Sequence, residues 1–201
     1  MFESEQNKFS DDEKKMTFSE MVKFLVLSIL IVLPIKYFVA QPFIVSGQSM
    51  DNTFHNGQYL IVDRISYRFA EPQRGDVIVF RYPRDPSKYF IKRVIALPRE
   101  TIEIKDNEVT IFNDKFSEGF KLKEPYIKSW DKNSPYIKEK LGENEYFVMG
   151  DNRDNSSDSR VWGVLSRNRI TGRVLLRLFP FNKIDYLPGK QEDVNETKSE
   201  I

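Results

Sequence analysis

Ser49 and Lys92 are the two residues of this chain whose types could together attack a carbonyl group. A serine hydroxyl becomes a nucleophile only when a base removes its proton. The chain contains one histidine and no cysteine, so it is poorly supplied for the common Ser-His and Cys-His arrangements. A lysine that apolar neighbours keep uncharged can be the base instead. The sequence therefore predicts nucleophilic catalysis by a serine and a lysine.

The segment around Lys92 can supply such a base. Lys92 and Arg93 are adjacent in a stretch with β character, from Tyr89 to Leu97. Because neighbouring side chains of a strand face opposite ways, we expect one of the two to face inward. Arginine cannot usefully lose its proton, whereas burial lowers the pKa of a lysine. A pKa lowered from about 10.4 to about 8 disfavours the charge by roughly 3 kcal/mol, which a domain of this size tolerates. An edge strand with two solvated basic residues is the alternative, and this segment alone favours it.

Ser49 stands in a loop, in the run Gly47-Gln48-Ser49-Met50. Serine in such a position is most often a turn or capping residue. The apolar side chains of Phe43, Val45 and Met50 predict a groove beside it, and Gly47 permits close approach of an extended backbone. His55, six residues after Ser49, lies in a predicted turn and is interpreted as a surface residue.

A third segment, from Gly150 to Gly163, is dense in hydrogen-bonding side chains and directly follows an apolar strand. Paired arginines and aspartates at this density predict a rigid hydrogen-bonded network rather than an ordinary polar loop. Such a network could orient the lysine.

The twenty residues from Met21 to Ala40 form a candidate membrane span, because sixteen of them are apolar. The uncharged core from Phe24 to Ile35 makes only about 18 Å of helix, which is short of the roughly 30 Å hydrocarbon layer. Lys23 and Lys36 lie near its ends, however, where long side chains can reach the interface. We predict an uncleaved anchor; a buried core helix and a cleaved signal peptide are the alternatives.

Lysines predict the orientation of this anchor. Lys8, Lys14, Lys15 and Lys23 precede its core, whereas only Lys36 follows it before Arg64. The positive-inside rule then places the N-terminus in the cytoplasm and the rest of the chain outside. The predicted organisation is a cytoplasmic segment (1–20), the anchor (21–40), an extracytoplasmic domain (41–186) and a polar tail (187–201) that we expect to be disordered.

Composition limits the partners. A formal net charge of +1 offers no electrostatic case for nucleic acid binding. The lack of cysteine excludes disulfides and thiolate metal sites, and a single histidine argues against a zinc or iron site.

The fold class predicted is mainly β: an antiparallel β-sheet catalytic domain with a small inserted subdomain at about 113–144, preceded by one N-terminal transmembrane helix. No long amphipathic helix separates the apolar segments, which favours antiparallel β over α/β. A hairpin turn is predicted at Lys105-Asp106-Asn107. The predicted strands are Tyr59–Val62, Asp76–Phe80, Tyr89–Leu97, Thr101–Ile104, Val109–Ile111, Glu145–Val148 and Arg173–Phe179.

Taken together, these motifs resemble the type I signal peptidase family. The order is Ser-Met after a short Gly-containing loop, then Gly75-Asp76-Val77, then Lys92-Arg93-Val94-Ile95, and last Gly-Asp-Asn-Arg-x-x-Ser-x-Asp-Ser-Arg-x-x-Gly. The order, the spacing and the upstream anchor all match, over about residues 21 to 181. The last motif is highly specific.

The resemblance implies a role for each matching residue. Ser49 corresponds to the nucleophile, whose backbone N–H would serve the oxyanion hole, and Lys92 to the general base. Ser156 matches a serine that hydrogen-bonds the lysine. Asp158 and Arg160 match an ion pair that braces the loop. The remaining correspondences are structural polar residues (Asp151, Asn152 and Arg153) and positions that line pockets for small side chains (Phe43, Val45, Gly47, Met50 and Ile91).

The implied activity is removal of signal peptides from secreted preproteins at the cell membrane, after small-x-small motifs. It needs no metal or cofactor. The implied partners are signal peptides, the lipid bilayer and a nearby translocon. A peptidase dedicated to a conjugation or pilus system and a catalytically silent membrane-anchored β-domain that binds secretion components are the alternatives. The self-cleaving repressors also use Ser and Lys on a β scaffold, but they would need a DNA-binding domain where this chain has the apolar stretch.

Overall fold

Two antiparallel β-sheets with few helices make up the described part of the chain, which confirms the predicted mainly β architecture. The computed structural model describes residues 17–34, 40–131 and 134–191. The strands are β1 (Ala40–Ile44), β2 (Tyr59–Asp63), β3 (Val77–Tyr82), β4 (Asp85–Ala96), β5 (Thr101–Lys105), β6 (Glu108–Asn113), β7 (Phe116–Lys121), β8 (Ile137–Lys140), β9 (Glu145–Met149), β10 (Leu165–Ser166), β11 (Ile170–Phe179) and β12 (Asp185–Tyr186).

The first sheet has the order β1-β2-β11-β3-β4-β9-β10, with β12 paired to β11. The second has the order β7-β6-β5-β8. Helix α1 spans Phe18–Pro34 and helix α2 spans Ser159–Trp162. Short 3₁₀ turns lie at Ser66–Arg68, Arg153–Asn155, Arg167–Arg169 and Phe181–Lys183.

Helix α1 covers most of the predicted span from Met21 to Ala40. It begins where the Glu20 carboxylate accepts a hydrogen bond from the Thr17 N–H at 2.9 Å. Residues 35–39 of the predicted span lie outside the described residues. Within the described ranges, no helix combines the length and apolar character required to cross a bilayer.

The core follows from strand alternation. Along β3, Val77 and Val79 pack on one face of the first sheet, whereas Ile78 and Phe80 pack on the other. A further cluster packs residues of β4 and β9 against the apolar side chains of β5 and β6, and so joins the two sheets. β4 therefore contributes side chains to both faces of the first sheet and to the contact between the two sheets, which makes it the central strand of the fold.

Two predicted boundaries differ from the structure. The segment 113–144 is not a separate insertion, because β7 and β8 complete a sheet that already contains β5 and β6. Strand β8 (Ile137–Lys140) is mostly exposed, so its charged sequence gives no apolar alternation to reveal it. The predicted disorder of the tail is wrong for residues 187–191: the Leu187 N–H donates to the Leu175 carbonyl at 2.8 Å, and the Gly189 carbonyl accepts from Arg93. Residues 192–201 lie outside the described residues.

A buried carboxylate ties the loop before β3 to the start of the second sheet. Glu100 accepts hydrogen bonds from both terminal nitrogens of Arg74, at 2.6 and 2.9 Å. It also accepts from the Leu97 N–H at 2.8 Å and from Asn113 Nδ2 at 3.0 Å. The charge is thus compensated by four donors in a place that water does not reach.

Glu100→Gln is expected to lower the free energy of unfolding by about 3 kcal/mol, because an amide replaces a charged acceptor that serves several buried donors. The matched control is Glu143→Gln. Glu143 pairs with Arg99, but both side chains are largely exposed, so this change should cost less than about 1 kcal/mol. Urea unfolding of both variants measures the difference, and equal effects would contradict the role given to Glu100.

Candidate active site

The loop after β1 places Ser49 beside β4. Its base is closed by hydrogen bonds from the Val45 N–H to the Gln58 carbonyl and from the Gly57 N–H to the Val45 carbonyl, each at 2.9 Å. Gly47 has a φ of 96°, a conformation that suits glycine and lets the chain turn into Ser49. Past the turn, the side chain of Met50 is buried in the core and fixes the loop to the sheet.

Lys92 lies on β4 opposite Ile78 of β3. Its Nζ is 2.7 Å from Oγ of Ser49 and donates to the backbone carbonyl of Ile91 at 2.9 Å. The same nitrogen lies 5.3 Å from the centre of the Phe90 ring. The structure therefore brings the two residues predicted to carry the chemistry into direct hydrogen-bond contact, although they are 43 positions apart in the chain.

Burial decides the charge of this amine. The Lys92 side chain is only 3% exposed. Loss of hydration lowers its pKa from the ordinary 10.5 to about 8, against the opposing influence of the Asp158 and Asp151 carboxylates. A pKa near 8 leaves an appreciable fraction of the amine uncharged at neutral pH. An uncharged amine at 2.7 Å can accept the proton of the Ser49 hydroxyl.

The neighbouring Arg93 is also buried, so the expectation that only one of the two basic residues faces inward is wrong. Arg93 projects from the opposite face of β4 and forms a two-pronged ion pair with Asp151, at 2.8 and 2.6 Å. Its guanidinium also donates to the Gly75 carbonyl at 2.8 Å and stacks 3.9 Å from the centre of the Tyr126 ring. Arg93 can remain charged in the interior because a carboxylate and a carbonyl compensate it.

Gly150 allows the third predicted segment to approach the serine. A Cβ at this position would lie 2.4 Å from the Ser49 carbonyl oxygen and 2.3 Å from Ser156 Oγ. Asn152, two positions after Gly150, holds the two loops together, since its N–H donates to the Ser49 carbonyl and its Nδ2 to the Gln48 carbonyl, each at 3.0 Å. Only a residue without a side chain fits between them.

The remaining residues of that segment form the rigid network that their composition predicts. Asp158 accepts from Arg160 at 2.9 and 2.8 Å and from the Gly150 N–H at 3.0 Å. Burial alone would raise the pKa of Asp158, but the hydrogen bonds and charge of Arg160 outweigh it and lower that pKa below its ordinary value. Arg153 donates to the Gly150 carbonyl at 3.0 Å and pairs with Glu124. The loop is thus held from both sides.

Two predicted contacts differ from the structure. The Ser156 hydroxyl is buried and forms no hydrogen bond of good geometry in the described residues, so the predicted bond to Lys92 is absent. Met50 does not line a groove surface, because its side chain packs in the core beneath the loop. In both cases a sequence match identifies the neighbourhood of the side chain but not the direction in which it points.

An apolar groove of about 490 Å³ runs past Ser49 and Lys92. Phe43, Val45, Gly47 and Ile91, all predicted to line pockets, lie on its walls. Sequence reasoning missed other residues of these walls. Alternation along β4 could have identified Lys88 and Phe90, four and two positions before Lys92. Asn155 and Ser157 lie in the polar segment predicted to orient the lysine. Nothing in the sequence pointed to the rest: Ile44, Ser46, Gln48, Leu60, Val79 and Tyr89.

Comparison with known proteins gives one consistent family. Residues 18–179 match the family model described as signal peptidase, peptidase S26. The chain is 38% identical over 172 residues to a probable signal peptidase I-1 of Synechocystis sp., which covers 82% of this chain and 84% of the relative. It is 34% identical over 181 residues to signal peptidase I of Bacillus licheniformis, with 85% and 94% covered.

A solved structure is also similar. The crystal structure of a signal peptidase I from Enterococcus faecalis V583 is 32% identical in sequence and matches 52% of this chain and 97% of its own, with a TM-score of 0.44. The family assignment rests on the sequence matches.

Lys92→Met tests the buried amine through stability. In the folded chain the pKa of Lys92 is about 8 instead of the ordinary 10.5. Between these two pH values the unfolded chain binds one more proton than the folded chain does. The free-energy cost of burying the charged Lys92 is therefore full below pH 8, and it is lost as the pH rises to the pKa of the unfolded chain. We expect the variant to be more stable than the parent by up to about 3 kcal/mol at pH 7.

This stability difference should shrink as the pH rises from about 8 to about 10.5, and denaturant unfolding across that range measures it. Lys140→Met, on the exposed part of β8, is the control and should show no such pH dependence. A difference for Lys92→Met that stays constant with pH would contradict the lowered pKa.

Proposed function

Because the chain belongs to the signal peptidase family, peptidase S26, we propose that it is a membrane-anchored serine endopeptidase that removes signal peptides by means of Ser49 and Lys92. The observation that carries this proposal is the contact of 2.7 Å between Lys92 Nζ and Ser49 Oγ, in which the lysine side chain is buried. The same burial lowers the pKa of the lysine to about 8.

In the proposed acylation step, uncharged Lys92 takes the proton of Ser49 while Oγ attacks the carbonyl carbon of the scissile bond. The negative charge that develops on the carbonyl oxygen is stabilised by the Ser49 N–H. The ammonium then gives its proton to the leaving amine, and the mature chain departs. Lys92 next takes a proton from the water that attacks the acyl carbon. It then gives that proton to Ser49 Oγ as the ester bond breaks, which restores both the serine hydroxyl and the uncharged amine.

The groove suits an extended peptide. In the described residues β1 pairs only with β2, so its other edge is free, and β9 joins β4 only from Arg93 onward. Residues 89–92 of β4 and the free edge of β1 can therefore offer backbone hydrogen bonds to a substrate strand beside Ser49. The bulk of Phe43, Val45 and Ile91 on the walls favours small substrate side chains near the cut. We therefore propose cleavage after small-x-small motifs.

Helix α1 is proposed as the membrane anchor. Its apolar side chains are mostly exposed; Phe24, Leu25 and Leu30 are each more than half exposed. Apolar surface of this kind calls for a lipid or protein cover. The excess of lysine before the helix supports a cytoplasmic N-terminus, with residues 41–186 on the outer side. Enzyme and anchored substrate would then share one membrane surface, close to the translocon that delivers the preprotein.

Ser49→Ala and Lys92→Ala should each lower kcat/KM by at least about 10³-fold, because the nucleophile and its base act as a unit. The assay is cleavage of a preprotein by the full chain in detergent or phospholipid vesicles. Lys140→Ala, an exposed lysine on β8, is the control and should retain activity. Turnover by Lys92→Ala within tenfold of the parent would refute the role of the base.

The same assay separates the alternatives. A dedicated peptidase of a conjugation or pilus system would cleave one substrate and ignore generic signal peptides. A silent binding domain would show no turnover and no labelling of Ser49 by a serine-directed acylating inhibitor.

The pH profile is a further prediction. Activity requires Lys92 without its proton, so kcat/KM should rise about tenfold per pH unit and level off above pH 8, where the pKa of Lys92 lies. Initial rates at low substrate concentration between pH 5 and pH 10 measure it, with circular dichroism to exclude unfolding. Lys92→Arg, which keeps its charge at every such pH, should remain inactive throughout. A flat profile would contradict proton removal by Lys92.

A further inference from the structure

A concentration of arginines lies at one end of the first sheet, outside the groove. Half of the ten residues around a depression of about 310 Å³ are arginines. Among the described residues that line it there is no aspartate or glutamate. The whole chain carries a formal net charge of only +1, so this positive charge is a local feature. The arginines, called here the arginine cluster, are Arg64, Arg68, Arg81, Arg167 and Arg169.

Internal contacts use only part of this charge. Arg167 is paired with Glu71 at 2.8 Å, and the guanidinium of Arg81 stacks over the Tyr89 ring at 5.8 Å. In contrast, Arg68 and Arg169 have no ion pair and no side-chain hydrogen bond within the described residues. At least two guanidinium groups are therefore available to a ligand from outside.

Two other carboxylates near the cluster accept hydrogen bonds from neighbouring groups of the fold. Asp63 accepts from the Ile65 and Ser66 N–H groups at 2.9 and 3.0 Å. Asp76 accepts from the Tyr67 hydroxyl at 2.7 Å inside the fold. Neither carboxylate lines the depression. The cluster therefore presents a positive face to solvent, in which the Glu71 carboxylate compensates only Arg167 among the residues described above.

The position of the cluster in the chain indicates which surface it faces. Ala40, the first residue of β1, pairs with Asp63, which directly precedes Arg64. Ala40 is only six positions after Pro34, the last residue of α1, and six steps of extended chain reach at most about 21 Å. If α1 lies in a membrane, a premise that comes from the proposed function, Ala40 lies within that reach of the bilayer surface, and Arg64 of the cluster directly follows the strand partner of Ala40.

Phe69 adds an apolar group at the same place. It follows Arg68 directly, and its side chain is 86% exposed. A largely exposed phenylalanine next to an unpaired arginine is costly in water but suits the boundary between headgroups and acyl chains. There the ring enters the apolar side while the guanidinium groups meet phosphates.

We propose that the arginine cluster binds the phosphate headgroups of anionic phospholipids and, with Phe69, seats the domain on the membrane. Tyr89 gives this contact a functional consequence, because it lines both the depression and the groove. Binding of phospholipid headgroups at the cluster fixes the height and tilt of the groove above the bilayer, where an anchored substrate presents its extended segment.

The absence of cysteine allows a direct test. Phe69→Cys introduces a single thiol for an environment-sensitive fluorophore on the full chain. The chain is reconstituted in vesicles of phosphatidylcholine alone or mixed with phosphatidylglycerol, each with a trace of lipid that carries a quencher at the headgroup. We expect quenching in the phosphatidylglycerol vesicles and its loss in about 0.5 M salt, where the Debye length is roughly 4 Å.

Charge reversal identifies the residues responsible. Arg68→Glu with Arg169→Glu should weaken the phosphatidylglycerol-dependent quenching at least about tenfold in the lipid fraction needed, since each basic residue near an anionic surface adds severalfold to binding. The matched control is Lys105→Glu with Lys115→Glu, exposed lysines of the second sheet. It makes the same change in net charge and should leave quenching intact. Equal quenching in both lipids, or equal loss in both double variants, would overturn the proposal.

Activity on a soluble peptide is recorded for the same variants. Neither pair lines the groove, so turnover of that peptide should be unchanged in both, which also shows that they fold. A chain that cleaves the peptide but shows no lipid-dependent quenching refutes the lipid site and leaves the proposed function standing. A chain that shows the quenching but cleaves nothing refutes the proposed function and leaves the lipid contact standing.

Discussion

The burial of one amine is the constraint around which this fold is arranged. Lys92 must be enclosed deeply enough to lose its charge and must still touch Ser49 at 2.7 Å. A full opposing charge in direct contact would hold the proton on the amine. The structure avoids this by pairing Asp158, the carboxylate that acts most strongly on Lys92, with Arg160. The amine therefore meets a hydroxyl, a backbone carbonyl and an aromatic ring rather than a carboxylate.

Strand β4 carries two buried basic side chains that differ in charge. Arg93 keeps its charge, because Asp151 compensates it with two hydrogen bonds in a place closed to water. Lys92, on the other face, has no such partner and its pKa falls. The pair Arg93 and Asp151 also fixes the start of the loop that holds Asn152 against Ser49. The permanently charged residue thus positions the elements around the one that titrates.

This arrangement separates stability from chemistry in space. The buried ion pairs of Arg74, Arg93 and Arg153 lie between the sheets or under the loops, where they join segments distant in sequence. The groove side of the site is lined, among the described residues, by apolar side chains and by polar ones that include no carboxylate. A loop fixed by ion pairs on one side can keep the serine rigid without adding charge on the side where the amine lies.

The sequence by itself determined the mainly β class, most of the long strands and the residue types able to do the chemistry, because alternation and turn residues are local signals. It could not place β8, whose charged residues pair through the backbone alone, or the packed residues 187–191. It also could not show that Arg93 is buried with Lys92, that Met50 faces the core, or that Ser156 does not reach the amine. These depend on contacts between distant segments, and only the tertiary structure decides how deeply Lys92 is enclosed and hence whether it is charged.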